Sequence, residues 1–153
     1  EQGYVSAALR CSREPYGVPV PDAQSGIPAI LMEMLVYSRP GVIELLPALP
    51  SALSKGSING MLARTFAKID KMAWDMEART VDLTLTSFRK QAVTLMARQG
   101  IEEITAPAGV LVSALQAGEA NVDVNLPENK AVSLRIRLGH HNPMDWVDLV
   151  EQA

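Results

Sequence analysis

The strongest constraint in this chain is an apolar–polar alternation that breaks off and restarts at short intervals between residues 57 and 138. It is cleanest at 80–87, where Val81, Leu83 and Leu85 fall on one side and Thr80, Asp82, Thr84 and Thr86 on the other. A period of two places successive side chains on opposite faces of a strand, so one face is apolar and has to be covered. The same pattern predicts strands over 57–65, 66–76, 92–98, 101–105, 121–126 and 131–138. In 66–76, Met72, Trp74 and Met76 share a face and read as core. Pro127-Glu128-Asn129-Lys130, between the last two segments, reads as a hairpin turn. Short alternating strands punctuated by turns predict a mainly β fold, an antiparallel β-sandwich.

The first forty residues follow another rule. Residues 3–9 are weakly helical, and 13–26 carry Pro15, Pro19 and Pro21, which fix φ and remove backbone donors. That run is expected to be irregular. A helix is expected over 27–36, with Asp22 or Ser25 as N-cap and Pro28 in the first turn. Ile30, Leu31, Met34 and Leu35 recur at helical spacing, while the opposite side holds Ala29, Met32, Glu33 and Val36, so the helix is apolar nearly all round. Such a helix is normally buried on several sides. Arg39-Pro40-Gly41 is expected to stop it. Pro47-Ala48-Leu49-Pro50 reads as a rigid extended linker, and Lys55-Gly56 as a plain turn. The expected organisation is a helical segment over 1–40, a β-domain over 41–138 and a polar tail over 139–153.

Composition narrows the function classes. A chain of 153 residues can bury about two thirds of its unfolded surface without a disulfide or metal. Net charge is −3 with acids and bases mixed, which provides no basic stripe for nucleic acid and none for an anionic membrane. The longest apolar stretch, 27–36, is interrupted by Pro28 and Glu33 and is too short to span a bilayer. Cys11 is the only cysteine, so no intrachain disulfide forms; it reads as a small apolar residue. The chain starts with Glu1-Gln2-Gly3 rather than Met, which reads as a cut within a longer protein or a processed end.

One block carries more specific information. Met32-Glu33-Met34-Leu35-Val36-Tyr37-Ser38 is followed by Gly41-Val42-Ile43-Glu44-Leu45-Leu46-Pro47-Ala48-Leu49-Pro50. Then comes Gly56-Ser57-Ile58-Asn59-Gly60-Met61-Leu62-Ala63-Arg64-Thr65-Phe66, leading to Asp70 and Trp74. In order and content these strings resemble the C-terminal region of glycoside hydrolase family 95, whose members include α-L-fucosidases. The chain departs from the family in having Arg64-Thr65-Phe66 for an Arg-Gly-Gly-Phe, Leu53 for a Trp, and one extra residue between Asp70 and Trp74. A β-bulge would absorb the extra residue. These departures suggest a divergent member.

The resemblance implies an inverting hydrolysis of α-L-fucosyl or α-L-galactosyl glycans in an (α/α)6 barrel. The helical segment here would be the end of that barrel, and the β-sandwich its structural cap. Inversion needs a general acid and an activated water on opposite faces of the sugar. In the family the acid is a Glu upstream of the region present here, so this chain alone is expected to be inactive. Ungapped spacing from Glu33 puts Asp22 on the Asp of the family's Asp-Gly-Asn-Phe-Gly-Gly motif, here Asp22-Ala23-Gln24-Ser25-Gly26-Ile27. Asp22 is thus the one candidate catalytic residue, a water-organising carboxylate; a helix cap or Asx-turn is the alternative reading. The resemblance further implies a secreted or periplasmic protein. The partners it implies are the upstream barrel and a glycan, and without that barrel helix 27–36 is expected to self-associate. No cofactor is expected. His140-His141 lacks further ligands for a metal site and sits on opposite strand faces. Asn142, Asp145 and Trp146 could line a sugar platform, with packing of the C-terminal segment as the plainer reading. A non-catalytic carbohydrate-binding or interaction module is the alternative for the whole chain.

Overall fold

Alternation at 80–87 becomes strand Thr80–Ser87, with Val81, Leu83 and Leu85 buried on its inner face. The computed structural model describes residues 10–11, 18–19, 21–116 and 119–139. The order is β1 (Arg10–Cys11), β2 (Val18–Pro19), α1 (Pro21–Leu35), β3 (Val36–Arg39), β4 (Val42–Leu45), β5 (Lys55–Ala63) and β6 (Ala67–Asp75). It continues with β7 (Thr80–Ser87), β8 (Gln91–Ala97), β9 (Ile101–Thr105), β10 (Asn121–Leu126) and β11 (Ala131–Leu138). A five-stranded sheet runs β5-β6-β7-β11-β9, a four-stranded sheet runs β10-β8-β4-β3, and β1 and β2 form a small antiparallel pair. Ile43, Leu45, Leu95 and Val124 from the four-stranded sheet join Ile69, Met72, Leu83 and Ile136 from the five-stranded one in a single core. The fold is mainly β, a two-sheet sandwich with one α-helix among the described residues.

Most strand expectations hold, including 80–87, 101–105, 121–126 and 131–138 to the residue. Met72 and Trp74 are buried as read, and Met76 packs against the same core. The extra residue after Asp70 is taken up by a bulge: the β6–β7 register shifts between Ile69 and Lys71, leaving Asp70 unpaired with β7.

Five expectations are corrected. The sandwich is not wholly antiparallel, because β4 and β8 pair in parallel. Parallel neighbours need a long connection, and here the chain builds β5, β6 and β7 of the other sheet before returning as β8. Residues 127–130 do not close a hairpin. β10 pairs with β8 and β11 with β7 and β9, so this turn carries the chain from one sheet to the other. Alternation names the face a side chain takes, not the sheet its strand joins.

The helix begins at Pro21, within the run expected to be irregular, and ends at Leu35. Pro21 takes the first-turn position expected for Pro28, which falls inside the helix, and Asp22 and Ser25 are helical rather than caps. Val36–Arg39 is a strand that turns at Pro40-Gly41 and pairs with β4. Gly41 has φ +78, so the turn needs a residue without Cβ strain there. Finally, Lys55 and Gly56 open β5 instead of forming a turn, and Gly56 leaves room for the Trp74 ring: a Cβ would lie 2.4 Å from its Cζ2.

Candidate functional site

A helix ends with carbonyls that have no partner inside it. At the end of α1 the segment expected to be an extended linker meets that need. Leu46 N–H donates to the Leu35 carbonyl at 2.8 Å and Ala48 N–H to the Met34 carbonyl at 3.2 Å. Leu46 itself is buried at φ +51, a left-handed conformation that is costly for a branched side chain before proline. The string 45–50 is therefore a strained turn that locks α1 onto the sandwich. A third tie joins them at the side: the Arg64 guanidinium meets Glu33 Oε1 at 3.0 Å, while Arg64 N–H donates to Ser38 Oγ at 2.9 Å. Upstream of these ties the helix has an exposed apolar stretch over 27–32. Ile27, Ile30, Leu31 and Met32 are about half exposed, Ile30 at 60%. Nothing among the described residues covers them.

Arg64 also opens a second feature, the sandwich end formed by the connections 40–41, 64–66, 88–90 and 127–130. Thr65 is buried there and organises it. Its Oγ1 accepts from Gly41 N–H at 3.0 Å, and its carbonyl accepts from Gln91 Nε2 at 2.6 Å. Gln91 Nε2 also donates to Ser87 Oγ at 2.8 Å, and Gln91 Oε1 accepts from Arg89 Nε at 3.1 Å. This chain of bonds holds the Arg89 guanidinium over the Phe66 ring, 4.4 Å from its centre. Phe66 has φ +55 and is 61% exposed; Phe88, whose N–H donates to the Phe66 carbonyl at 2.9 Å, is also exposed. Motif reading located Arg64 and Phe66 but gave them no role, and it passed over Phe88, Arg89 and Gln91 entirely. A Phe-Arg-Lys run directly after an alternating strand was the available signal.

Several carboxylates elsewhere are paired within the fold. Glu44 is buried and meets Arg98 Nε at 2.6 Å. Asp70, at the bulge, accepts from Thr86 Oγ1 at 2.6 Å and lies 2.9 Å from Lys68 Nζ; both hold its carboxyl below the usual range. Asp75 is lowered chiefly by the Ala78 amide, and Lys55 is raised chiefly by its hydrogen bond with Glu77. Two shallow grooves cross the outer face of the five-stranded sheet. One, of about 310 Å3, includes Asp82, Thr84, Ser133 and Arg135; the other, of about 330 Å3, includes Thr80, Glu103 and Arg137. Neither is lined by an aromatic ring. Among the described residues no three His, Cys, Asp or Glu side chains gather as metal ligands. No described helix is long and apolar enough to cross a membrane. The structure places Asp22 second in α1, in the helix's first turn. His140, His141, Asn142, Asp145 and Trp146 lie outside the described residues.

The arrangement is a two-sheet sandwich with a helix fixed to it whose apolar residues Ile27, Ile30, Leu31 and Met32 are exposed. A family model for the glycoside hydrolase family 95 C-terminal domain matches residues 37–141. This chain belongs to glycoside hydrolase family 95. No curated protein matches it. In this family 95 C-terminal domain the match starts one residue into β3 and covers every strand after it, so it takes in the whole sandwich. Asp22 and α1 lie ahead of the matched region.

Proposed function

We propose that this chain is the C-terminal part of an inverting glycoside hydrolase that acts on α-L-fucosyl or α-L-galactosyl glycans. The sandwich serves as a structural cap on the catalytic barrel, and α1 is the barrel's last helical segment. The observation that carries this reading is the state of α1. Its C-terminal turn is tied to the sandwich by Leu46, Ala48 and Arg64, while Ile27, Ile30, Leu31 and Met32 are left without cover among the described residues. A helix fixed at one end and apolar along its free part is built to pack between two bodies. The general acid belongs to the upstream barrel, so this chain alone gives no turnover. A secreted or periplasmic location goes with action on glycans.

Asp22 is the residue through which this chain would enter the chemistry. It stands second in α1, in the helix's first turn. An ionised carboxylate is what a group that orients the attacking water requires. In the full-length enzyme, assayed on aryl α-L-fucosides and α-L-galactosides, Asp22→Asn is expected to lower kcat by roughly 10²-fold or more at unchanged thermal stability. Unchanged turnover would remove Asp22 from the mechanism. The alternative is a free-standing, non-catalytic carbohydrate-binding or interaction module. Calorimetric titration of the isolated chain with fucosylated and galactosylated oligosaccharides separates the two, because binding without the barrel favours the module.

A further inference from the structure

We propose that the sandwich end around Arg89 is a binding site for an acidic glycan, an oligosaccharide that carries carboxylate or sulfate groups. Such a site does not depend on the roles given to α1 and Asp22. Its centre is the exposed Arg89 guanidinium, which the fold has already placed. One face of it lies on the Phe66 ring, 4.4 Å from the ring centre, and its Nε edge donates to Gln91 Oε1 at 3.1 Å. Gln91 Nε2 is fixed in turn on the Thr65 carbonyl and Ser87 Oγ, and Ser87 Oγ donates to the Arg89 carbonyl at 2.6 Å. The two terminal amino groups of Arg89 have no partner among the described residues. An arginine held on one face and one edge, with Nη1 and Nη2 left over, is a ready fork for two oxygens of one anionic group. Because the side chain is already fixed, binding orders little more of it.

Charge around that fork is not neutralised by the fold. The connections 40–41, 64–66, 88–90 and 127–130 carry Arg64, Arg89, Lys90 and Lys130 against one acid, Glu128, and Arg39 directly precedes the first of them. Three backbone donors draw the connections together: Gly41 N–H on Thr65 Oγ1, Phe88 N–H on the Phe66 carbonyl and Asn129 N–H on the Ser87 carbonyl. Arg39, Lys90 and Lys130 are exposed and make no ion pair among the described residues. Away from this end, the described lysine and arginine side chains other than Lys71 are each paired with a carboxylate. A chain of net charge −3 that keeps most of its unpaired cations at one end suits a ligand with a few anionic groups and repels a long polyanion over the rest of its surface. Phe88, on the same connection as Arg89 and 47% exposed, supplies an apolar surface for the C–H face of a sugar ring. A glycan also fits a chain that belongs to a glycoside hydrolase family.

The test is calorimetric titration of the full-length protein with an oligogalacturonate, a sulfated oligogalactoside and the neutral oligogalactoside. At least one acidic ligand is expected to bind roughly tenfold or more tighter than the neutral one, and which of the two binds names the anionic group. Raising salt should weaken that binding. Arg89→Lys keeps the charge and loses the fork, so it is expected to weaken the acidic ligand by roughly tenfold. Lys90→Gln with Lys130→Gln removes charge without touching the fork and should weaken it as well. All three positions are exposed, so the thermal midpoint should not move, and the lysine pair is an independent check on the arginine. Equal binding of the acidic and neutral ligands, or no binding of either acidic one, would overturn the proposal. So would acidic-glycan binding that none of these variants changes, because the ligand would then sit elsewhere on the protein. An Arg89→Lys protein that binds like the parent would leave only a diffuse cationic surface and refute the fork. Tighter binding of single-stranded DNA or phosphatidylserine vesicles than of either acidic glycan, abolished by the same variants, would assign this end to another partner and also overturn it. None of these results bears on turnover by the Asp22→Asn enzyme, so this inference and the proposed function fail separately.

Discussion

Gly56 and Trp74 show how one missing carbon positions a core. The Trp74 ring lies so close to Gly56 that any Cβ there would overlap it, and Trp74 Nε1 donates to the Leu53 carbonyl at 2.8 Å. The ring can neither slide away nor turn without giving up that bond in a half-buried site. Gly56→Ala is therefore expected to cost about 1–3 kcal/mol, the usual range for overpacking, measured as a lower urea midpoint at unchanged slope. An unchanged midpoint would show that the ring has room to move. Asp70 makes a second residue-scale prediction, about pH. Its folded pKa is depressed by Thr86 and Lys68, so the stability it contributes is present above its ordinary value of 3.8 and is lost as pH falls through the lower folded value. Thr86→Val removes the larger cause. The variant should be less stable than the parent at neutral pH and converge on it in acid below the carboxylate range. A stability difference that stays constant from neutral pH into acid would contradict that assignment.

Elements show where sequence patterns stop being informative. Strand positions were legible because burial and period two are local, and Val81, Leu83 and Leu85 name their face by themselves. Sheet membership was not, since β10 and β11 both alternate cleanly and yet part company at 127–130. The β3–β4 hairpin was hidden by Pro40-Gly41, which stops a helix and turns a hairpin equally well. In the candidate site, the resemblance singled out Asp22, but the Phe66–Arg89 pair depends on bonds from Thr65 and Gln91, 26 residues apart in sequence, which no local pattern reveals. The helix start was misread for a physical reason that can be tested. Pro28 lies inside α1, where it cannot donate to the Gln24 carbonyl, and Gly26 adds further backbone freedom two residues before it. A proline in a helix interior costs about 3 kcal/mol relative to alanine. Pro28→Ala is accordingly expected to raise ellipticity at the helical band and the melting temperature of α1. A loss of helical signal would mean that Pro28 is needed for the start at Pro21.

At the scale of the whole molecule, the sandwich satisfies itself and the helix does not. Among the residues whose burial is described, the largest fully buried side chains come from the strands and the turns that join them, and none from α1. In the isolated chain a second copy of α1 is a ready means of covering this apolar surface. Ile27, Ile30, Leu31 and Met32 are each about half exposed, so pairing two helices would gain roughly 1 kcal/mol for each of the side chains so covered. Rigid-body association costs at least about 4 kcal/mol, which offsets much of that gain. The balance predicts weak, concentration-dependent dimers with the symmetric, self-complementary contact that a single repeated surface produces. Light scattering across a hundredfold range of concentration should show the mass rise, and Ile30→Glu with Leu31→Glu should return the chain to monomer without shifting its core unfolding. A chain that stays monomeric throughout, with α1 still helical and exposed, would show that the bare helix tolerates water. The argument that α1 was made to lie between two bodies would then lose its footing.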